Sequence, residues 1–131
     1  MRKVLIDTNV YIAFKRNHQS TIDKFRRLDF IAMDITVLAE LYAGFRGGTK
    51  ENRNRKELEL FLNNPRVHLL NHEQETAEFY SLIFNNLRTN GSPIPTNDMW
   101  IAATAMQHGL ALLTFDEHFS NVTGLYIEEF S

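Results

Sequence analysis

Short apolar, β-branched runs alternate along the chain with stretches whose apolar positions recur at helical spacing. Lys3 to Ile6 is the first such run; it ends at Asp7-Thr8-Asn9, and Val10 to Phe14 resumes as a helix start. Ser20 to Leu28 opens on a Ser-x-x-Asp capping signal at Ser20 and Asp23, and Phe30 to Asp34 reads as a second strand. Thr36 is placed to cap the next helix, which runs to about Phe45 and stops at Gly47-Gly48. A charged helix over Lys50 to Asn64 closes at Pro65, and Val67 to Leu70 is a third strand. From His72 to Asn90, Ala77, Tyr80, Leu82, Ile83 and Leu87 mark one helix face, with Gly91 as the stop. Beyond the stiff Pro93-Ile94-Pro95, Asn97 to His108 is almost wholly apolar after its first two residues, so a buried helix is expected. Leu110 to Thr114 supplies a fourth strand and Leu125 to Glu128 a fifth. The alternation predicts an α/β fold with a mainly parallel sheet of about five strands. Without repeats, low-complexity tracts or linkers, residues 1–131 read as a single domain.

Composition narrows the chemistry. At 131 residues with 44% hydrophobic positions, the chain should bury roughly two-thirds of its unfolded surface. It has no cysteine, which excludes disulfides and thiolate metal sites and fits a reducing compartment. Every apolar run is shorter than the roughly 18 residues that a membrane span needs. The first strand pattern begins too close to Met1 for a signal peptide, so a cytoplasmic protein without membrane partners is expected. The net charge of -2 hides an asymmetry: residues 1–66 hold thirteen Lys or Arg against eight acids, whereas residues 67–131 hold Arg88 against eight. Such polarity suggests a basic region able to meet phosphate, unless folding interleaves the halves.

Four acids stand out because their company is apolar. Asp7 sits between Val-Leu-Ile and Val-Tyr-Ile-Ala-Phe, Glu40 inside Val-Leu-Ala-Glu-Leu-Tyr-Ala, Asp98 before Met-Trp-Ile-Ala-Ala, and Asp116 after Leu-Ala-Leu-Leu-Thr-Phe. An unpaired buried carboxylate is costly enough that it must neutralise or find a cation. Asp7 and Asp116 follow strands and Asp98 opens a helix, which puts them at the carboxyl edge of the sheet, where open α/β folds bind ligands. Glu40, about one turn into its helix, can reach the same edge. Taken singly, Asp98 could serve a helix dipole and Asp7 a cap. Glu40 has only Thr36, Val37, Ala43 and Gly44 at i±3 and i±4, none of them a salt-bridge partner. With no Lys or Arg in these segments, the natural counter-charge is a divalent cation, and hard oxygen ligands select Mg²⁺ or Mn²⁺ over zinc.

Ile-Asp-Thr-Asn near the start, Ala-Glu-Leu-Tyr-Ala-Gly some thirty residues on, Pro-Thr-Asn-Asp-Met-Trp-Ile-Ala-Ala, and Leu-Leu-Thr-Phe-Asp-Glu-His-Phe together resemble the PIN domain. The resemblance is closest to the VapC-type toxins of bacterial toxin–antitoxin systems, and it spans nearly the whole chain. It implies a three-layer α/β/α sandwich, a Mg²⁺- or Mn²⁺-dependent endoribonuclease acting on RNA, a homodimer, and inhibition by a small antitoxin encoded alongside. By position, the family's acidic metal-binding and catalytic residues fall on Asp7, Glu40, Asp98 and Asp116, the four selected by burial. Thr8, Asn9 and Thr114 match supporting polar positions, with helix capping or strand-end roles as their alternatives. His118 reads as an inert, partly exposed histidine.

A phosphoacceptor receiver domain needs a pair of acids after strand one and a late Lys, but Asp7 is alone and no Lys follows Lys56. A haloacid-dehalogenase-type phosphatase needs Asp-x-Asp, and Asn9 stands in the second place. A non-catalytic PIN-like scaffold is the remaining alternative, although this chain keeps all four acids. Tyr11, Phe14 and Tyr42 are expected to border the acidic crevice, which would suit a peptide that brings Arg or Lys beside apolar anchors. No motif identifies the RNA.

Overall fold

The computed structural model describes residues 2–131. Strands β1 (Lys3–Ile6), β2 (Phe30–Asp34), β3 (Val67–Leu70) and β4 (Ala111–Leu113) form one parallel sheet in the order β3-β2-β1-β4. Helices α1 (Thr8–Lys15) and α2 (Gln19–Arg26) connect β1 to β2, and α3 (Ile35–Arg46) and α4 (Glu51–Leu62) connect β2 to β3. Helices α5 (Gln74–Asn90) and α6 (Thr96–Gln107) then carry the chain back across the sheet to β4. Right-handed crossovers running outward from β1 and then back past it place α1 to α4 on one face and α5 and α6 on the other. The result is the three-layer α/β/α sandwich.

The burial pattern explains why these runs become strands. Val4, Leu5, Ile6, Ile31, Ala32, Met33, Leu112 and Leu113 are all at most 1% exposed, as befits strands covered on both faces. β3, at the sheet edge, is less apolar in its placement, with Leu69 at 39% exposure. Helix α6 buries Met99 and Ile101 through Ala105, and it packs along α5. Its near-continuous apolar sequence therefore reflects a helix between the sheet and a neighbour rather than one on the surface.

Three local expectations need correction. The fifth strand reduces to one parallel bridge between Leu112 and Ile127, held by Leu112 N–H to Tyr126 O and Glu128 N–H to Leu112 O, each 2.8 Å. β4 is only three residues long, so it offers no longer ladder. Ser20 lies inside α2, whose N-cap is His18, because Asn17 takes a left-handed φ of 61° and the chain re-enters a helix at once. Thr36 is capped rather than capping: Asp34 accepts its backbone N–H at 3.0 Å.

Folding also interleaves the charged halves. Arg2 and Lys24, from the basic half, both pair with Glu128 Oε2 at 2.5 Å, and Lys24 has no exposed surface. Arg66 donates to the carbonyls of Phe25 at 2.8 Å and Leu28 at 2.7 Å, satisfying acceptors at the end of α2. The sequence asymmetry is thus partly neutralised within the fold.

Candidate active site

The carboxyl ends of β1 and β4 are neighbours, and the chain leaves β1 toward β2, on the side away from β4. That divergence opens a crevice at the strand ends. Asp7 directly follows β1 and caps α1: its Oδ1 accepts the Thr8 backbone N–H at 2.8 Å. Thr114, just beyond β4, donates its hydroxyl to Asp7 Oδ2 at 2.7 Å and accepts the Asp116 N–H at 3.0 Å. One threonine therefore positions two acids. The Thr8 hydroxyl donates to Glu40 Oε1 at 2.9 Å, so Thr8 joins Asp7 to the acid on α3. Asn9 Oδ1 accepts the Phe115 N–H at 3.4 Å and holds the loop after β4 against α1.

Asp98 enters from the first turn of α6, and Asp116 caps a 3₁₀ turn, Glu117–Asn121, by accepting the His118 N–H at 3.1 Å. The His118 ring lies between them, with Nε2 2.7 Å from Asp98 Oδ2 and Nδ1 2.8 Å from Asp116 Oδ1. Ligand atoms of Asp98, Asp116 and His118 all fall within 4.8 Å of one another. Asp7 and Glu40 stand outside that tight group and are tied to it through Thr114 and Thr8.

Electrostatics bind the four acids into one unit. Burial pushes the Asp7 carboxyl above its ordinary 3.8, against the lowering hydrogen bonds from Thr114 and Thr8, and repulsion from Asp98 and Asp116 adds to the rise. Burial likewise raises Glu40; the Thr8 hydrogen bond opposes it, and Asp7 and Asp98 raise it further. Asp98 is raised by burial in spite of the hydrogen bond and charge of His118, with Asp116 repelling it. Among the described residues no Lys or Arg forms an ion pair with any of the four. Four carboxylates with a single imidazole, set against two of them, leave excess negative charge, so the donor set fits a divalent cation.

Two residues in this neighbourhood escaped the sequence reading. His118 reads as inert in the sequence, yet both its ring nitrogens lie against acids, and the capping Asp two residues before it fixes its backbone. Asp34 is fully buried at the end of β2, in Ala-Met-Asp-Ile-Thr-Val, the same apolar company that singled out Asp7. It accepts the Thr104 hydroxyl of α6 at 2.6 Å, the Thr36 N–H of α3 at 3.0 Å and a bond with His72 Nε2 at 2.9 Å. It thereby ties α3, which carries Glu40, to α6, which carries Asp98. Of the expected aromatic border, Tyr11 lines a cavity of about 430 Å³ with Thr8, Ile12, Glu40 and Leu41. Phe14 instead stacks on Phe25 at 4.6 Å, and Tyr42 lies beneath the Arg55 guanidinium at 4.0 Å.

The PIN domain family profile matches residues 4–125. Ribonuclease VapC1 of Rickettsia felis is 32% identical over 127 residues, 95% of this chain and 93% of the relative. Ribonuclease VapC4 of Mycobacterium tuberculosis is 28% identical over 120 residues, 92% and 91% of the two chains. Among solved structures, DNA-bound VapBC from Salmonella typhimurium aligns with a TM-score of 0.89 and 25% identity over all of both chains.

Proposed function

The chain belongs to the PIN domain family, and from that premise we propose that it is a metal-dependent endoribonuclease, the toxin of a toxin–antitoxin pair. One observation carries the reading: Asp7 and Asp116 follow β1 and β4, Asp98 and Glu40 reach the same edge from α6 and α3, their charges disfavour one another, and among the described residues none has a Lys or Arg partner. The ribonuclease relatives support the substrate class, and the VapBC complex supports a small antitoxin partner.

In this proposal Asp7, Asp98 and Asp116 are the principal ligands of Mg²⁺ or Mn²⁺, and Glu40 holds a second ion or orients the attacking water. The bound ion would neutralise phosphate oxygens and lower the pKa of a bound water, the two requirements of phosphodiester hydrolysis at neutral pH. Thr114 and Thr8 hold Asp7 so that both its oxygens stay fixed, and Thr8 orients Glu40 toward the same edge. Asn9 keeps the Asp116 loop seated on α1. Preorganised side chains of this kind spare the reaction the cost of ordering them.

The cavity beside Glu40 has Tyr11, Ile12 and Leu41 on its walls and Lys15, Arg16 and Arg53 around it, so an antitoxin segment would seat apolar anchors there and bring a basic side chain only to the Glu40 end. A homodimer and a cytoplasmic location belong to the same reading. Among the described residues no helix is long and apolar enough to cross a membrane. Expression of this chain without its antitoxin should arrest growth, and co-expression of the neighbouring gene product should restore it. Arrest that is undiminished in the Asp98→Asn variant would show that hydrolysis is not its cause.

A further inference from the structure

His118 stands between two carboxylates of the acidic edge, and nothing in the proposed hydrolysis uses it. Its nitrogens lie 2.7 Å from Asp98 Oδ2 and 2.8 Å from Asp116 Oδ1, and one donor atom from each of the three residues falls within 4.8 Å of the others. The ring is not a loose surface group. Its backbone N–H is held by Asp116, and the imidazole leans on Phe119, fully buried in the core, with ring centroids 5.1 Å apart. Its side chain is 32% exposed, so an ion or solvent can reach it.

This arrangement changes the donor chemistry of the edge. Carboxylates alone make an all-oxygen set, which suits Mg²⁺ with its reluctance to give up water. An imidazole nitrogen suits first-row transition ions, the later ones most; Mn²⁺, the weakest binder of that series, still accepts a nitrogen donor more readily than Mg²⁺ does. We infer that His118 is a metal-discriminating residue, supplying a nitrogen ligand beside Asp98 and Asp116 that favours Mn²⁺ over Mg²⁺. The inference rests on the metal-dependent reading of the same edge and deepens it. His118 then does more than hydrogen-bond two acids: it sets which ion they hold.

Pulsed electron paramagnetic resonance of the full chain loaded with Mn²⁺ tests this without relying on activity. The parent should show coupling of the Mn²⁺ electron spin to a nitrogen, the coupling should change when histidine is labelled with ¹⁵N, and His118→Gln should abolish it. Calorimetry with Mn²⁺ and Mg²⁺ separately should show that His118→Gln weakens Mn²⁺ binding by about tenfold or more, at least what loss of a mere hydrogen-bond partner of a metal ligand costs, while Mg²⁺ binding changes less. Because the labelling experiment uses the unaltered chain, poor folding of the variant does not spare the inference. Mn²⁺ that binds with no nitrogen coupling and an unchanged preference overturns the role of His118 while leaving the carboxylate site intact. A parent that binds neither ion overturns both.

Discussion

Replacing Asp98 by Asn should slow RNA cleavage by about a thousandfold or more, equivalent to about 4 kcal/mol of lost transition-state stabilisation. The same change should leave the metal-free protein as stable as the parent, or more stable. Both halves follow from one fact: Asp98 is a half-buried acid that faces Asp116 and, at longer range, Asp7 and Glu40, with only His118 to offset them. Its charge is unfavourable until a cation arrives, so neutralising it relieves repulsion in the apo fold and removes a ligand from the loaded one. Asp7→Asn should behave alike, with weaker Mn²⁺ binding by calorimetry. Single-turnover cleavage and thermal unfolding in chelator separate the two effects. A variant that loses activity only because it unfolds would mark Asp98 as a structural acid.

Glu128→Ala should cost about 3 kcal/mol of stability, the scale of stranding one member of a buried ion pair. Lys24 is fully buried, and Glu128 Oε2 is its salt-bridge partner; the same oxygen takes a bond from Arg2. Changing Lys24 to Met together with Glu128 to Gln should recover much of the loss, since an apolar replacement no longer leaves a charge unpaired. The hydrogen bond from Lys24, reinforced by its charge and by Arg2, holds the Glu128 carboxyl below its ordinary 4.5. A carboxyl lowered in the native state binds fewer protons there than in the unfolded chain across the interval between the two values. Its contribution is therefore complete above 4.5 and drains away as pH falls through the native value. Denaturant unfolding of the parent and Glu128→Gln at a series of pH values should show their difference shrinking on the acid side. A difference independent of pH would remove the ion pair from the explanation.

The sequence made the candidate site more legible than its wiring. Val4-Leu5-Ile6 and Ile31-Ala32-Met33 announced buried parallel strands because a strand covered on both faces has no room for polar alternation. The same logic exposed Asp7, Glu40, Asp98 and Asp116, since an acid in apolar company needs a reason within a few residues of chain. What escaped were relations that exist only after folding. His118 meets Asp98 across 20 residues, Asp34 meets Thr104 across 70, and Lys24 meets Glu128 across 104. The fifth strand failed for a related reason: Leu125 to Glu128 has strand-like residues, but its length was decided by the three-residue β4 it had to pair with. Asp34 was legible by the same rule, for it closes β2 in apolar company as Asp7 does directly after β1.

The central claim is that the four-carboxylate edge cleaves RNA through a divalent ion, and add-back of metal to chelator-stripped protein tests it most directly. Cleavage of a structured RNA should vanish in chelator, return saturably with Mg²⁺ or Mn²⁺, and fail to return in Asp98→Asn at any metal concentration. Cleavage by the purified parent that persists undiminished in chelator, or that Asp98→Asn retains in full, would contradict the account.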